Sequence, residues 1–168
     1  MIEKVGSTTR IKYMAKLPGT RRRKVPRIPI LVIEDNADHW LIIRSALSQC
    51  FPEVEPLWMN NTSQVINHLN TCVSTEKELP RLILTDLYLP RREDGFLLLE
   101  SLKNHVVFRQ LPVVVLSNSE DRKDIEQAYT FSIASYIVKP VSYHQWLNCF
   151  YTFRRYWLEA VTLPIHSY

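Results

Sequence analysis

Apolar residues along this chain fall into short continuous runs, separated by longer stretches in which they recur every three or four positions. The runs Ile30-Leu31-Val32-Ile33, Leu82-Ile83-Leu84, Val113-Val114-Val115-Leu116 and Tyr136-Ile137-Val138 are bounded by polar residues, as buried strands of a parallel sheet are. Val54–Met59 is a poorer run, and Pro56 removes a ladder donor there, which suits an edge strand. Helical spacing fills the intervals: Trp40, Ile43, Ala46, Leu47 and Cys50 after a cap at Asn36 or Asp38, then Val65, Leu69 and Cys72 after Thr62 or Ser63. Leu98, Leu99, Leu102 and Val106 come after Gly95, and Ile125, Ala128 and Tyr129 mark a short charged helix over Glu120–Tyr129. Strands alternate with helices five times. That pattern predicts an α/β domain built on a doubly wound five-stranded parallel sheet of order 2-1-3-4-5.

The last helix, about Tyr143–Ala160, carries two apolar stripes. Trp146, Phe150, Phe153 and Trp157 recur along one, and Tyr143, Leu147, Tyr151 and Leu158 along its neighbour. A helix lying on a sheet buries one stripe. A homodimer through this helix, with Trp146, Phe150, Phe153 and Trp157 as its contact residues, is therefore expected. The alternative is that the whole wide stripe packs on its own domain, with Val161–Pro164 folding back over it.

The net charge of +4 over 168 residues misleads about the folded part, because residues 1–27 hold nine Lys or Arg against the single acid Glu3. The remainder of the chain is mildly acidic. Residues 1–27 read as a flexible basic arm: a solvated tail, an arm for nucleic acid or another anionic surface, or a transit sequence or misplaced start. Residues 28–161 read as the folded domain and 162–168 as a short tail. Cys50, Cys72 and Cys149 are odd in number and show no C-x-x-C pairing, so reduced thiols in a cytosolic (cytoplasmic) protein are expected. No apolar stretch has the length of a membrane span. The five histidines, His39, His68, His105, His144 and His166, lack ligand spacing and read as surface or satisfied groups.

Chemistry gathers where the runs end. The first ends in Glu34-Asp35, the third in Asp86, the fourth in Ser117 and the fifth in Lys139-Pro140. In the proposed order the carboxyl ends converge at the switch point between the first and third strands. Asp86 alone would serve equally well as a turn former, so its assignment rests on these partners. Gly95 is the only glycine beyond residue 19, which excludes glycine-rich phosphate loops of the Walker and dinucleotide types. Glu34, Asp35 and Asp38 would attract a hard divalent cation, and Mg²⁺ suits oxygen ligands with retained waters. Carboxylate, Mg²⁺, Lys and Ser together equip a site for covalent phosphoryl transfer onto Asp.

Acid pair, D-x-x-x-P, Ser and Y-x-x-K-P in this order closely resemble the receiver domain of two-component response regulators, a CheY-like, flavodoxin-like fold, over about residues 28–160. The resemblance implies that Asp86 accepts a phosphoryl group from a phosphohistidine of a sensor histidine kinase. It further implies Glu34, Asp35, Asp86 and the Tyr88 backbone carbonyl around Mg²⁺, Ser117 as switch hydroxyl, Lys139 as charge partner, Tyr136 as aromatic switch and a cis peptide at Lys139–Pro140. Such a protein has no separate substrate to turn over; it catalyses its own phosphorylation and dephosphorylation, and signals by changing its surface around Glu120–Tyr143. The ending Tyr156–Pro164 is similar to single-domain regulators that partner phytochrome-type and related hybrid kinases. Three departures stand out: an extra residue between Pro90 and Gly95, bulky Tyr88 two positions past the acceptor, and Ser132 and Ser135 where glycines are common. The competing readings are a receiver-like interaction module that is not phosphorylated, and nucleic-acid binding through the basic arm.

Overall fold

The computed structural model describes residues 27–163; the basic arm up to residue 26 and the tail from residue 164 lie outside the described residues. The elements are β1 (Ile28–Ile33), α1 (Ala37–Cys50), β2 (Val54–Met59), α2 (Thr62–Ser74), β3 (Leu82–Thr85), α3 (Arg92–Asn104), a single 3₁₀ turn (Phe108–Gln110), β4 (Val113–Ser117), α4 (Arg122–Thr130), β5 (Ser135–Val138), α5 (Tyr143–Arg154) and a π-helical stretch (Arg155–Ala160). All strand pairs are parallel, in the order β2-β1-β3-β4-β5. β2 is an edge strand, which leaves the ladder indifferent to Pro56 opposite Ile30.

Alternation along the strands divides the core into two layers. Leu31, Ile33, Ile83, Val113 and Val115 face α2, α3 and α4, whereas Ile30, Val32, Leu82, Leu84, Val114 and Leu116 face α1 and α5. Helix starts follow from side-chain caps. The Asn36 side chain accepts from the N–H groups of Asp38 and His39, and Ser142 forms a capping box with Gln145.

The α5 stripe expected to form a dimer lies inside the domain. Trp146, Phe150, Phe153 and Trp157 are all buried, with Leu163 beside them in the same core layer. The reason is that the chain turns back: the π-helical stretch ends where the Val161 N–H bonds to the Tyr156 carbonyl at 3.1 Å, and Leu163 covers the aromatics. The domain core thus extends past residue 161. Burying a residue such as Phe150 contributes roughly 1.5–3 kcal/mol.

The structure corrects further expectations. Gly95 lies within α3 rather than before it, because Asp94 accepts from both the Arg91 N–H and its guanidinium, which starts the helix at Arg92 and absorbs the extra residue. A Cβ at Gly95 would sit 1.8 Å from the Leu87 carbonyl oxygen, so only glycine allows α3 this close to the loop after β3. Val106 falls beyond the helix and is exposed, and Tyr129 points outward at 48% exposure. The cis peptide among the described residues is Leu89–Pro90, not Lys139–Pro140. Ser132, one of the positions where glycine is common, has φ 52°, a left-handed conformation that glycine adopts without strain. Cys50, Cys72 and Cys149 are free thiols, and no helix among the described residues is long and apolar enough to cross a membrane.

Candidate functional site

The parallel register carries each reacting group to one edge of the sheet. Ile33 is level with Thr85, and Ser117 with Val138. The ladder continues one residue past each strand: the Glu34 N–H donates to the Met59 carbonyl at 3.0 Å, Asp86 N–H to Ile33 at 2.9 Å and Lys139 N–H to Ser117 at 2.8 Å. Backbone hydrogen bonds therefore fix the positions from which Glu34, Asp86 and Lys139 project. All three side chains are buried, as is Ser117.

Lys139 is the hub. Its Nζ donates to Glu34 Oε2 at 2.7 Å and to Asp86 Oδ2 at 2.5 Å, and lies 3.1 Å from His39 Nδ1. The other Asp86 oxygen, Oδ1, accepts from the backbone N–H groups of Leu87 at 2.6 Å and Tyr88 at 3.1 Å. An acid so buried is tolerable only because both of its oxygens are satisfied. Two carboxylates facing one ammonium leave surplus negative charge. Burial accordingly pushes the Glu34 carboxyl above its ordinary value, with Lys139 opposing and Asp86 adding to the rise. Such a donor set fits a divalent cation, and Glu34, His39 and Asp86 place ligand atoms within 4.8 Å of one another. Asp35 is exposed and stands apart from that group.

A cavity of about 360 Å³ opens above the acid, lined by Asp86, Tyr88, Asn118 and Ser119. Ser117 is buried at the end of β4 and does not line this pocket; its Oγ accepts from the N–H of Ser119, which does, at 3.3 Å. Tyr136 is half-buried, its hydroxyl donating to the Ser119 carbonyl at 2.9 Å; burial raises its phenol above the ordinary value. Behind Glu34, Trp58 donates its indole N–H to the Glu34 carbonyl at 2.8 Å and stacks on Trp40, with ring centroids 5.5 Å apart and planes within 8°. A buried carboxylate held by an amine at the floor of an open pocket is suited to act as a nucleophile toward an electrophile entering from above.

Residues 30–149 match the family model of the response regulator receiver domain. The chain belongs to this family. Among related proteins, the receiver is 31% identical over 129 residues to the probable methanogenesis regulatory protein FilR2 of Methanothrix harundinacea, covering 77% of this chain and 83% of FilR2. It is 34% identical over 85 residues to the response regulator Rcp1 of Synechocystis, an alignment spanning 51% of this chain and 57% of Rcp1. Among solved structures, the phosphorylated cyanobacterial phytochrome response regulator RcpA superposes with a TM-score of 0.72 at 28% identity, covering 82% of this chain and 99% of RcpA. The Mn²⁺-bound form of Rcp1 gives 0.71 at 26% identity, covering 81% and 98%.

Two members of the receiver's site are not evident from sequence. Spacing marks His39 as a surface histidine, yet the first turn of α1 brings it against Glu34 and Lys139. Asp124 belongs to a charged helix and looks solvated, although it stands four residues before the inward Ala128 and so shares its face.

Proposed function

We propose that this receiver accepts a phosphoryl group on Asp86 from the phosphohistidine of a sensor histidine kinase, with Mg²⁺, and signals by phosphorylation-dependent protein–protein interaction. The observation that carries this reading is the Asp86 carboxylate, lining an open pocket and held by the Lys139 ammonium at 2.5 Å, with Ser117 at the end of the neighbouring strand. In the transfer, an Asp86 carboxylate oxygen bonds to phosphorus while the phosphorus–nitrogen bond of the phosphohistidine breaks. The imidazole nitrogen keeps the electron pair, and nothing is oxidised or reduced. Lys139 offsets charge at one Asp86 oxygen, and the Leu87 and Tyr88 N–H groups orient the other. Ser117 supplies a hydroxyl within the same edge, in reach of a signal relayed through Ser119 to Tyr136. Glu34 and Asp86 are the groups that would hold Mg²⁺, joined by the Tyr88 carbonyl and by Asp35 once its exposed side chain turns inward; when bound the ion neutralises phosphoryl oxygens. The likeness to RcpA and Rcp1 supports a kinase of the phytochrome or a related hybrid type.

Asp86→Asn should abolish acid-labile incorporation of phosphate from acetyl phosphate, while wild type is labelled in the presence of Mg²⁺. Full labelling of Asp86→Asn would overturn the assignment. A protein that neither labels nor changes its Trp fluorescence with beryllofluoride and Mg²⁺ would be the non-phosphorylated interaction module instead.

Self-association is proposed on a different surface from the buried α5 stripe. Within the described sheet β5 has a neighbour on one side only, and Tyr129, Val138 and Val141 are exposed along that side. A second copy is proposed to cover these exposed side chains, since a twofold contact closes on itself; the Tyr136 N–H on that edge is already taken by the Tyr129 hydroxyl at 3.3 Å, so side chains rather than strand pairing would form the contact. Sedimentation equilibrium with beryllofluoride tests it: a dimer lost in Val138→Lys is expected, and a monomeric wild type refutes it.

A further inference from the structure

α4 is anchored by one buried acid and one buried alanine, with peripheral hydrogen bonds from Arg92 to Gln127 and from the Tyr136 N–H to the Tyr129 hydroxyl. Ala128 is its only fully buried apolar side chain, and Ile125 is half-buried. Asp124, 3% exposed, gathers donors from three other segments. Arg92 Nε, at the start of α3, donates to its Oδ1 at 2.5 Å. The Tyr88 hydroxyl donates to Oδ2 at 3.1 Å, and the Ser119 hydroxyl to the same oxygen at 2.6 Å. Burial alone would raise this carboxyl, but the hydrogen bonds from Ser119, Arg92 and Tyr88 outweigh it and hold the group below the usual carboxylate range.

Two of these three donors belong to the acceptor pocket. Tyr88 is tied at both ends, its N–H on Asp86 and its hydroxyl on Asp124, so the ring is held along the pocket between the two acids. Ser119 is pinned by its hydroxyl to Asp124, by its N–H to Ser117 and by its carbonyl to Tyr136. Tyr88 and Ser119 thus form two walls over Asp86 that Asp124 braces from behind, without itself lining the cavity.

We propose that Asp124 is a positioning residue that holds Tyr88 and Ser119 as the walls of the acceptor pocket and thereby sets how slowly water removes a phosphoryl group from Asp86. This rests on the phosphoacceptor reading of Asp86. In the hydrolysis, the water oxygen bonds to phosphorus and the bond from phosphorus to the Asp86 oxygen breaks. The carboxylate leaves with the electron pair, and the protons of the water pass to the phosphate released and to solvent. A fixed phenol ring narrows the line along which water reaches phosphorus; a ring freed at its hydroxyl end opens that line.

The experiment uses the full chain, labelled with acetyl phosphate and Mg²⁺ and then separated from the donor. Decay is followed in wild type, Tyr88→Phe, Asp124→Asn and the double variant. Each single change should shorten the phosphoryl half-life on the order of tenfold, the scale of a modest misplacement around a reacting centre. The double variant should decay no faster than the quicker single, because both remove one shared bond. Tyr88→Phe deletes only a hydroxyl, so its melting temperature should stay close to wild type while its half-life falls, a split that a merely structural role would not give. Should Asp124→Asn fail to fold, Tyr88→Phe alone decides. Wild-type decay in Tyr88→Phe, or single effects that multiply in the double, overturns the proposal. Absence of label in wild type overturns the phosphoacceptor reading and this proposal with it, a result distinct from altered decay.

Discussion

α4 and α5 each lie against the sheet, on opposite faces, and they are attached by opposite means. α5 and its π-helical continuation bury Trp146, Phe150, Phe153 and Trp157, whose rings succeed one another at centroid distances near 6 Å, as the 5.9 Å between Phe153 and Trp157 illustrates. α4 buries one alanine and one aspartate. Apolar burial is indifferent to what happens at the acceptor, since it has no direction and no charge. The Asp124 tie is directional and ends on Tyr88 and Ser119, two of the residues that line the pocket beside Asp86. The difference teaches where a signal can leave this domain: an element with few buried apolar contacts is the one that local chemistry can displace.

The sharpest way to break the contrast is on the α5 side. Phe150→Ala should lower the free energy of unfolding in urea by about 3–5 kcal/mol, through lost burial and the cavity left behind, with the phosphoryl half-life of the remaining folded protein unchanged. A half-life that moved in step with stability would mean that α5 also feeds the acceptor. Next in size, Asp124→Ala strands Arg92, Tyr88 and Ser119, at a cost of about 1–3 kcal/mol. Hydrogen exchange should then quicken at the α4 amides and leave those of α5 at their wild-type rates.

A smaller effect of opposite sign is expected at the turn between α4 and β5. Ser132→Gly relieves a left-handed backbone and should raise the unfolding free energy by up to about 1 kcal/mol, since the strain removed exceeds the added freedom of the unfolded chain. A melting temperature below wild type would contradict this. The smallest effect concerns the far end of α5, where Arg154 donates to both Glu53 oxygens and, by that hydrogen bond, holds the Glu53 carboxyl below its ordinary value. A depressed acid contributes stability that is present above its unfolded pKa of about 4.3 and is lost as pH falls through the lower folded value. Both groups are partly exposed, so solvent screens the pair. The difference in melting temperature between wild type and Glu53→Gln should therefore be slight at pH 7 and vanish at strongly acid pH.

The same contrast separates what is legible in the chain from what is not. Strand order, the strand-end positions of Asp86, Ser117 and Lys139, and the inward faces of α1 and α2 follow from period and spacing, because each depends on residues close in sequence or on one repeated rule. The inward turn of Asp124 does not. Reading α4 by hydrophobicity sends Tyr129 in, whereas the structure places Asp124 inside and Tyr129 outside, a choice made by donors at residues 88, 92 and 119 that no local pattern contains. At α5 the difference is of another kind. Its two stripes are plain in the sequence, but how much apolar surface one domain covers depends on the path of the chain afterwards, and Leu163 returns to close the layer. Asp35 shows a third case: its place in sequence beside Glu34 says nothing of which acid turns in, and the buried one is Glu34.

The stacked indoles behind the acid loop carry a practical consequence. Trp40 rides on the first turns of α1 and Trp58 on edge strand β2, and the nearly parallel pair is tethered to the chain at Glu34 by the Trp58 N–H. Stacked chromophores so close couple their electronic transitions, and the sign and size of the resulting circular-dichroism couplet depend on their relative tilt. Trp40→Phe or Trp58→Phe would erase that couplet while leaving Trp146 and Trp157 to emit. The protein therefore holds its own optical gauge of the loop that bears Glu34, readable without any attached dye.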